Sequence, residues 1–282
     1  MKKIKVDLTH FTPSHVVVEA VGMPHNLTNP TIEIATNVIA ELSHTSVAEH
    51  VVFSFKIKGI SRACLAELSR HRIASMTVQS TRYSLHKMLK ELEMIDKQSE
   101  LQSDFFEKYY VQADFEEIKD YPSHWKLRSH NLASIAQMER MRENGFKADD
   151  YKYFITENLR VNLSLTINLR SMLNFLKLRL DKSAHKEIRH LAGLIKSEIC
   201  RIPYVNQIIK RIDNKNEELQ TKIDFYDDMS KIIVDYASSI DITDHWFHEK
   251  SFTDNLKICI AQYFNMRRIN YEKTYNILDY KK

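Results

Sequence analysis

The chain has 282 residues, 43% of them hydrophobic and 28% charged, with 13 Phe, 13 Tyr and 10 Met but only 4 Gly and 5 Pro. That composition excludes disordered, collagenous and low-complexity chains and describes a helix-rich globular protein long enough to bury a substantial core. Lys plus Arg number 41 against 37 Asp plus Glu, a formal net charge of +4, so no polycationic surface is implied and any basic site is local.

Cys64, Cys200 and Cys259 are far apart and form no CxxC pair, which argues against a disulfide framework or a cysteine-rich zinc site and fits a reducing, cytoplasmic setting. The basic opening at Lys2, Lys3 and Lys5 is not followed by an apolar stretch of signal-peptide length. No later segment approaches the roughly 20 apolar residues of a membrane span. A protein of the cell interior, without a membrane partner, is expected.

In chain order, Ile4 to Leu8 and Val16 to Val21 read as short strands around a turn at Thr12 to Ser14. Asn29 and Pro30 make an N-cap and first-turn pair for a helix whose apolar face is Ile32, Ile34, Ala35, Val38, Ile39 and Leu42, ending near Ser43. Val51 to Ile60 alternates as a half-buried strand, which Gly59 breaks, and Ser61 caps a short helix through Leu68. Met76 to Tyr83 reads as extended. Leu85 to Asn158 reads as two or three helices with a turn at Tyr121-Pro122-Ser123. Val161 to Asn168 alternates as a strand, followed by one helix through Leu178 and another from Ser183 to Cys200, with Pro203 as a break. The expected fold is α+β, an antiparallel sheet packed with helices in residues 1–213, with a helical C-terminal extension in 214–282.

Three stretches carry chemistry. The first runs Arg70-His71-Arg72-Ile73-Ala74-Ser75-Met76-Thr77-Val78-Gln79-Ser80-Thr81-Arg82-Tyr83 and is dense in anion-binding donors. Cations in a last helical turn also stabilise the helix dipole, but this set is larger than capping requires. In the second, His44 to His50, Ser46 and Glu49 have the spacing of a capping box, and the two His do not share a helical face, so no metal is assigned. His245, His248 and Glu249 likewise read as an amphipathic face. The third runs from Asn168 to Arg179, with Arg170 and Asn174 four apart on one helix face.

The order of these blocks gives them meaning. Arg-His-Arg-x-x-Ser, then Ser-x-Arg-Tyr after four residues, resembles the signature of the flavin-dependent thymidylate synthases at Arg70, His71, Arg72, Ser75, Ser80, Arg82 and Tyr83. His44 to His50 and Ser61-Arg62 upstream, and Asn168 to Arg179 and Glu187-Ile188-Arg189 downstream, resemble that family's other blocks. The resemblance covers residues 1 to about 210 and leaves the extension unexplained.

The resemblance implies a non-Rossmann FAD pocket between subunits of a homotetramer, where a one-carbon unit passes from methylenetetrahydrofolate to C5 of dUMP and NADPH serves as reductant. With only Gly22, Gly59, Gly145 and Gly193, no GxGxxG can be written, which agrees. Carried over by position, the flavin contacts fall on His44, Ser46, Glu49, Arg70, His71, Arg72, Ile73, Asn168, Arg170 and Asn174. The nucleotide contacts fall on Glu67, Leu68, Ser69, Arg70, Val78, Gln79, Ser80, Thr81, Arg82, Lys152 and Arg179. Arg179 matches the activating position, where a guanidinium favours ionisation of uracil N3. Cys64 sits among Ala63, Leu65 and Ala66 and reads as a packing residue, since this chemistry needs no cysteine nucleophile.

Departures from the family pattern loosen the substrate assignment. Thr77-Val78 replaces the frequent Asn-Glu or Ser-Gln, Glu67 replaces a frequent Gln, and Lys152 replaces a frequent Arg, keeping charge without the bidentate fork. Two readings compete with dTMP formation. One is a related enzyme making another C5-modified nucleotide, such as hydroxymethyl-dUMP. The other is a nucleic-acid-binding module using Arg70, Arg72 and Arg82 on phosphates with Tyr83 stacking, against which the near-balanced charge counts.

Overall fold

The structure is a computed structural model, described over residues 4–42, 44–95, 101–112 and 123–239. Two compact units, Met1–Arg211 and Ile212–Lys282, divide the chain. In the first unit, strands β1 (Lys5–Phe11), β2 (Val52–Ser61), β3 (Ala74–Val78) and β4 (Arg160–Asn168) form an antiparallel sheet in the order β1-β2-β4-β3. The helices are α1 (Ser14–Gly22), α2 (Ile32–Ala40), α3 (Arg62–Leu68), α4 (Thr81–Glu93), α5 (Leu101–Tyr109), α6 (Ser123–Glu143), α7 (Ala148–Tyr151), α8 (Leu169–Arg179), α9 (Lys186–Ile199) and α10 (Pro203–Ser239). The α+β architecture with an antiparallel sheet is therefore the one expected from the patterning.

The two central strands show why the sheet forms. Phe53, Phe55 and Ile57 of β2 and Val161, Leu163, Leu165 and Ile167 of β4 are buried, while Lys56, Lys58, Asn162 and Ser164 between them are exposed. That alternation sends each strand's apolar side chains to one face and fixes the register. Gly59 does not end β2. It sits at a register shift between Lys58 and Ile60, with φ +80°, and donates its N–H to Asn162 Oδ1 at 3.0 Å. The left-handed conformation suits glycine, and the strand resumes beyond the bulge.

Several local expectations are corrected. Val16 to Val21 is part of helix α1, because Val17 and Val21, four apart, are the buried pair, and Pro13 at the N-cap is preset at φ -64°. Helix α2 is capped by Thr31, whose hydroxyl accepts from Ile34 N at 3.3 Å, and not by Asn29. The extended run at Met76 stops at Val78, and α4 begins at Thr81 because Leu85, Met88 and Leu89 enter a core at helical spacing. Between Leu85 and Asn158 the described residues form four helices, α4 to α7, and a 3-10 turn at Lys152–Phe154. Pro203 starts α10 instead of breaking the chain's helical course, since a first-turn proline lacks only an N–H that would have no helical partner. Helix α9 is shorter than Ser183 to Cys200. Ser43, Tyr121, Pro122, Cys259, the aromatic clusters of 244–252 and 263–280, and His245, His248 and Glu249 lie outside the described residues.

Helices α4 to α7 build a second core of Leu85, Met88, Leu89, Phe105, Phe106, Tyr110, Ile135, Met138 and Tyr151, joined to the sheet by Leu159 just before β4. No helix among the described residues is long and apolar enough to cross a membrane, and none of their side chains form a His, Cys, Asp and Glu group that could hold a metal ion.

A buried polar joint locks β2 to α9. Glu187, 4% exposed, accepts from Ser61 N at 2.7 Å and from Ser61 Oγ at 2.6 Å, while Ser61 Oγ caps α3 by accepting from Cys64 N at 2.9 Å. Removing the hydroxyl leaves a buried carboxylate short of a donor. Ser61→Ala is expected to cost about 1–3 kcal/mol in urea unfolding; a cost under about 0.5 kcal/mol would show that the joint contributes nothing.

Candidate functional site

The first cluster forms where α3 and α8 end. Arg179 Nε donates to His71 Nε2 at 2.9 Å, Nη1 to Glu67 Oε2 at 3.1 Å, and Nη2 to the Glu67 carbonyl at 3.4 Å. The guanidinium thus serves one C-terminal carbonyl of α3 as well as the Glu67 carboxylate. The His71 ring stands edge-on to Phe175, with centroids 4.9 Å apart. Burial lowers the His71 pKa first, and the Arg179 charge lowers it further. Acceptance at Nε2 requires the neutral imidazole with its proton on Nδ1. Leu68 is buried beneath this cluster, and exposed Ser69 turns its hydroxyl back to the Ala66 carbonyl at 2.9 Å. Cys64 is buried and its thiol pushed far up by burial, then by the Glu187 and Glu67 charges, so it is an inert packing residue.

The second cluster lies at the far end of β3. Arg82 Nε donates to Asp149 Oδ1 at 2.9 Å and Lys152 Nζ donates to the same oxygen at 3.0 Å. Asp149 escaped the sequence reading. Its only signal is the spacing of three to Lys152 at the start of α7, which reads equally as an acid complementing a helix dipole. Val78, Gln79, Ser80 and Arg82 are exposed here, and Thr81 is half-buried. Gln79 is pinned to Asn162 twice, through its N–H to the carbonyl at 2.8 Å and through its Oε1 to the amide at 2.9 Å.

The third cluster lies at the other end of β3. Arg170 Nη1 pairs with Glu49 Oε1, and Asn168 caps α8 by accepting from Ser171 N at 2.8 Å. Glu49 is not part of a capping box. Ser46 is itself helical, at φ -59° and ψ -38°, and its side chain accepts no cap bond, so Glu49 is free to reach Arg170. His44, Ser46 and Asn174 are exposed. Arg70 and Arg72 are exposed too, and no ion pair of theirs is formed among the described residues. Ile73 takes φ +59° and is 74% exposed, an uncommon conformation for a β-branched residue, and it turns the chain from the arginines into β3.

Register places these groups along one sheet edge. Ala74 pairs with Ile167 beside the α8 start, and Val78 pairs with Leu163 beside Asn162 and Gln79. His44, Ser46, Arg70, Arg72, Val78, Gln79, Ser80 and Arg82 face open surface, whereas Leu68 is buried and Glu67, His71, Asn168 and Arg179 are half-buried. A cavity of about 1180 Å³ lies elsewhere, between α6, residues 153–158 and the start of α9, and none of the sequence-predicted site residues line it.

Residues 12–202 match the family described as thymidylate synthase complementing protein. A flavin-dependent thymidylate synthase of Wolinella succinogenes is 41% identical over 152 residues, covering 53% of this chain and 67% of that protein. One from Campylobacter jejuni is 37% identical over 166 residues, covering 58% and 72%. The crystal structure of thymidylate synthase X from Helicobacter pylori with FAD and dUMP superposes with a TM-score of 0.58 and 28% identity, covering 74% of this chain and 99% of that one. With a matching family that spans most of the first unit and relatives of this likeness, the chain belongs to the flavin-dependent thymidylate synthase family.

The His71 contact sets a pH dependence. The ordinary pKa is 6.5 and the folded value lies below it, so on acidification the unfolded chain takes the proton first. The contribution is full above about pH 6.5 and is lost as pH falls through the folded value. Unfolding free energy measured in urea from about pH 8 to about pH 5 should decline on the acid side, and His71→Gln should flatten that decline. An identical slope in the variant would assign it to other groups.

Proposed function

We propose that this chain methylates dUMP reductively to dTMP, with methylenetetrahydrofolate as carbon donor, FAD as the flavin and NADPH as the reductant. The observation that carries the reading is the fixed guanidinium of Arg179, held by His71 and Glu67 at the meeting of two motif blocks 108 and 112 residues apart in sequence.

The donor set fits an anionic, pyrophosphate-bearing cofactor. Arg70 and Arg72 are exposed cations without ion pairs among the described residues, and Arg170 with Asn174 presents a second polar face. His44, Ser46, Glu49, Arg70, His71, Arg72, Ile73, Asn168, Arg170 and Asn174 would hold FAD through side chains. When bound, the reduced flavin supplies the hydride. Glu67, Leu68, Ser69, Arg70 and the run from Val78 to Arg82 would position dUMP, with Arg82 and Lys152 taking its phosphate. Arg179 stabilises negative charge developing on the uracil ring, and Glu67 and His71 hold it in place so that no reorganisation is needed when the charge appears. Because His71 is neutral, it adds no competing positive charge beside the guanidinium.

The exposed edge strand β3, flanked by the motif clusters, supports a site completed by other copies in a homotetramer. Residues 1–213 are then the catalytic domain and 214–282 an extension of it, helical over 214–239, in a cytoplasmic enzyme.

The test is direct. The full chain should carry a flavin spectrum whose bands shift on adding dUMP, and turnover should yield dTMP by product analysis. Arg179→Ala should retain flavin and lose about 100-fold to 1000-fold in turnover. A colourless protein that cannot be reconstituted with FAD, or hydroxymethyl-dUMP as sole product, would reject the reading in its first or last part respectively.

A further inference from the structure

The Asp149 carboxylate stands between two cations that the reading above reserves for a nucleotide phosphate. A single oxygen, Oδ1, accepts from both Arg82 Nε at 2.9 Å and Lys152 Nζ at 3.0 Å. The three side chains are open to solvent, with Arg82 66%, Asp149 40% and Lys152 38% exposed. The neighbouring carboxylate is no rival, because Asp150 Oδ2 already accepts from Lys147 N at 3.0 Å. The bond from Lys152 and then that from Arg82 hold the Asp149 acid below the usual carboxylate range.

An oxygen bridging an arginine and a lysine is the arrangement a phosphate oxygen would adopt in the same place. The two anions differ in strength. A phosphate monoester carries about -1.5 to -2 charges and three acceptor oxygens near neutral pH, against one charge on a carboxylate. Both cannot stay between the same two cations, since like charges at contact repel. Asp149 is half-buried, its side chain 40% exposed, and lies on a four-residue helix, so its carboxylate has water to turn to.

We propose that Asp149 is a place-holding anion, occupying in the free protein the seat between Arg82 and Lys152 that the nucleotide's 5′-phosphate takes. The seat yields to a phosphate dianion, while a singly charged anion does not displace the resident carboxylate. The inference rests on the reading that this motif binds a nucleoside monophosphate, and it deepens that reading into selection by charge. The resident anion also keeps Arg82 and Lys152 facing each other before substrate arrives, at the expense of some affinity once it does.

The test uses the full chain loaded with FAD, titrated calorimetrically with dUMP, deoxyuridine, inorganic phosphate and acetate at fixed low ionic strength. Asp149→Asn should bind dUMP and inorganic phosphate about 3-fold to 10-fold more tightly than the parent, leave deoxyuridine unchanged, and acquire measurable acetate binding. Raising the salt should shrink the difference. Asp149→Ala should repeat the pattern, which separates loss of charge from a new amide contact. If both variants bind dUMP and phosphate no more tightly than the parent, the place-holder is overturned and Asp149 is a prop for the two cations. If the parent binds no dUMP while both variants still gain phosphate affinity, the anion seat stands and the nucleotide assignment fails.

Discussion

The pairing of β2 with β4 is the constraint on which the site depends. The ladder runs from Val52 opposite Asn168 to Ser61 opposite Arg160, so the two strands release their following helices at opposite ends. Helix α3 leaves after Ser61 and α8 leaves after Asn168, and the C-terminal ends of both return to meet where Arg179 touches Glu67 and His71. A shift of one residue in this register would turn Phe53, Phe55 and Ile57 outward, and the same shift would part the two helix ends. The buried bonds between Ser61 and Glu187 tie the α3 end of the ladder to α9, which also packs against β1 and α8. Fold and chemistry are therefore fixed by one alternation of apolar and polar side chains.

Charge is distributed to match. Four of the site cations have a carboxylate partner: Arg179 has Glu67, Arg170 has Glu49, and Arg82 and Lys152 share Asp149. The pairs of Asp149 and of Glu49 are largely exposed, so each contributes little to stability, while Arg179 and Glu67 are half-buried. Their consequence is geometric. A long, flexible side chain that would otherwise sample many rotamers is restricted before a ligand binds, and the ordering entropy is spent in folding instead of in binding. Glu67 suits this role, since a carboxylate holds a guanidinium more firmly than the amide of Gln would.

Much of this was legible in the sequence, for reasons that differ by element. The strands β2 and β4 announced themselves because one face is buried and the other wet, which writes a period of two into the residues. Helix α1 did not, because Val16, Val17 and Val18 are β-branched and consecutive, and only the packing of Val17 and Val21 selects the helix. Helix α4 began earlier than expected because Thr81, Arg82 and Tyr83 give no apolar signal until Leu85 enters its core. The motif residues were found through resemblance, whereas contacts across more than 100 positions, such as Arg179 to His71, leave no periodic trace. Asp149 was invisible for another reason: an acid at a helix start is ordinary, and its meaning comes from Arg82, 67 residues away.

Ile73 carries a conflict of its own. A β-branched residue held in the left-handed region costs about 1–3 kcal/mol, and at 74% exposure it recovers little by burial. Glycine or asparagine would relieve that strain, yet either would also free the turn between Arg72 and Ala74 that sets the arginines relative to β3. Selection for a more stable chain and selection for a sharper binding surface thus pull this one residue in opposite directions. Stabilised forms of the protein, whether evolved or designed, are expected to gain at this turn by giving up some definition in the arginines beside it.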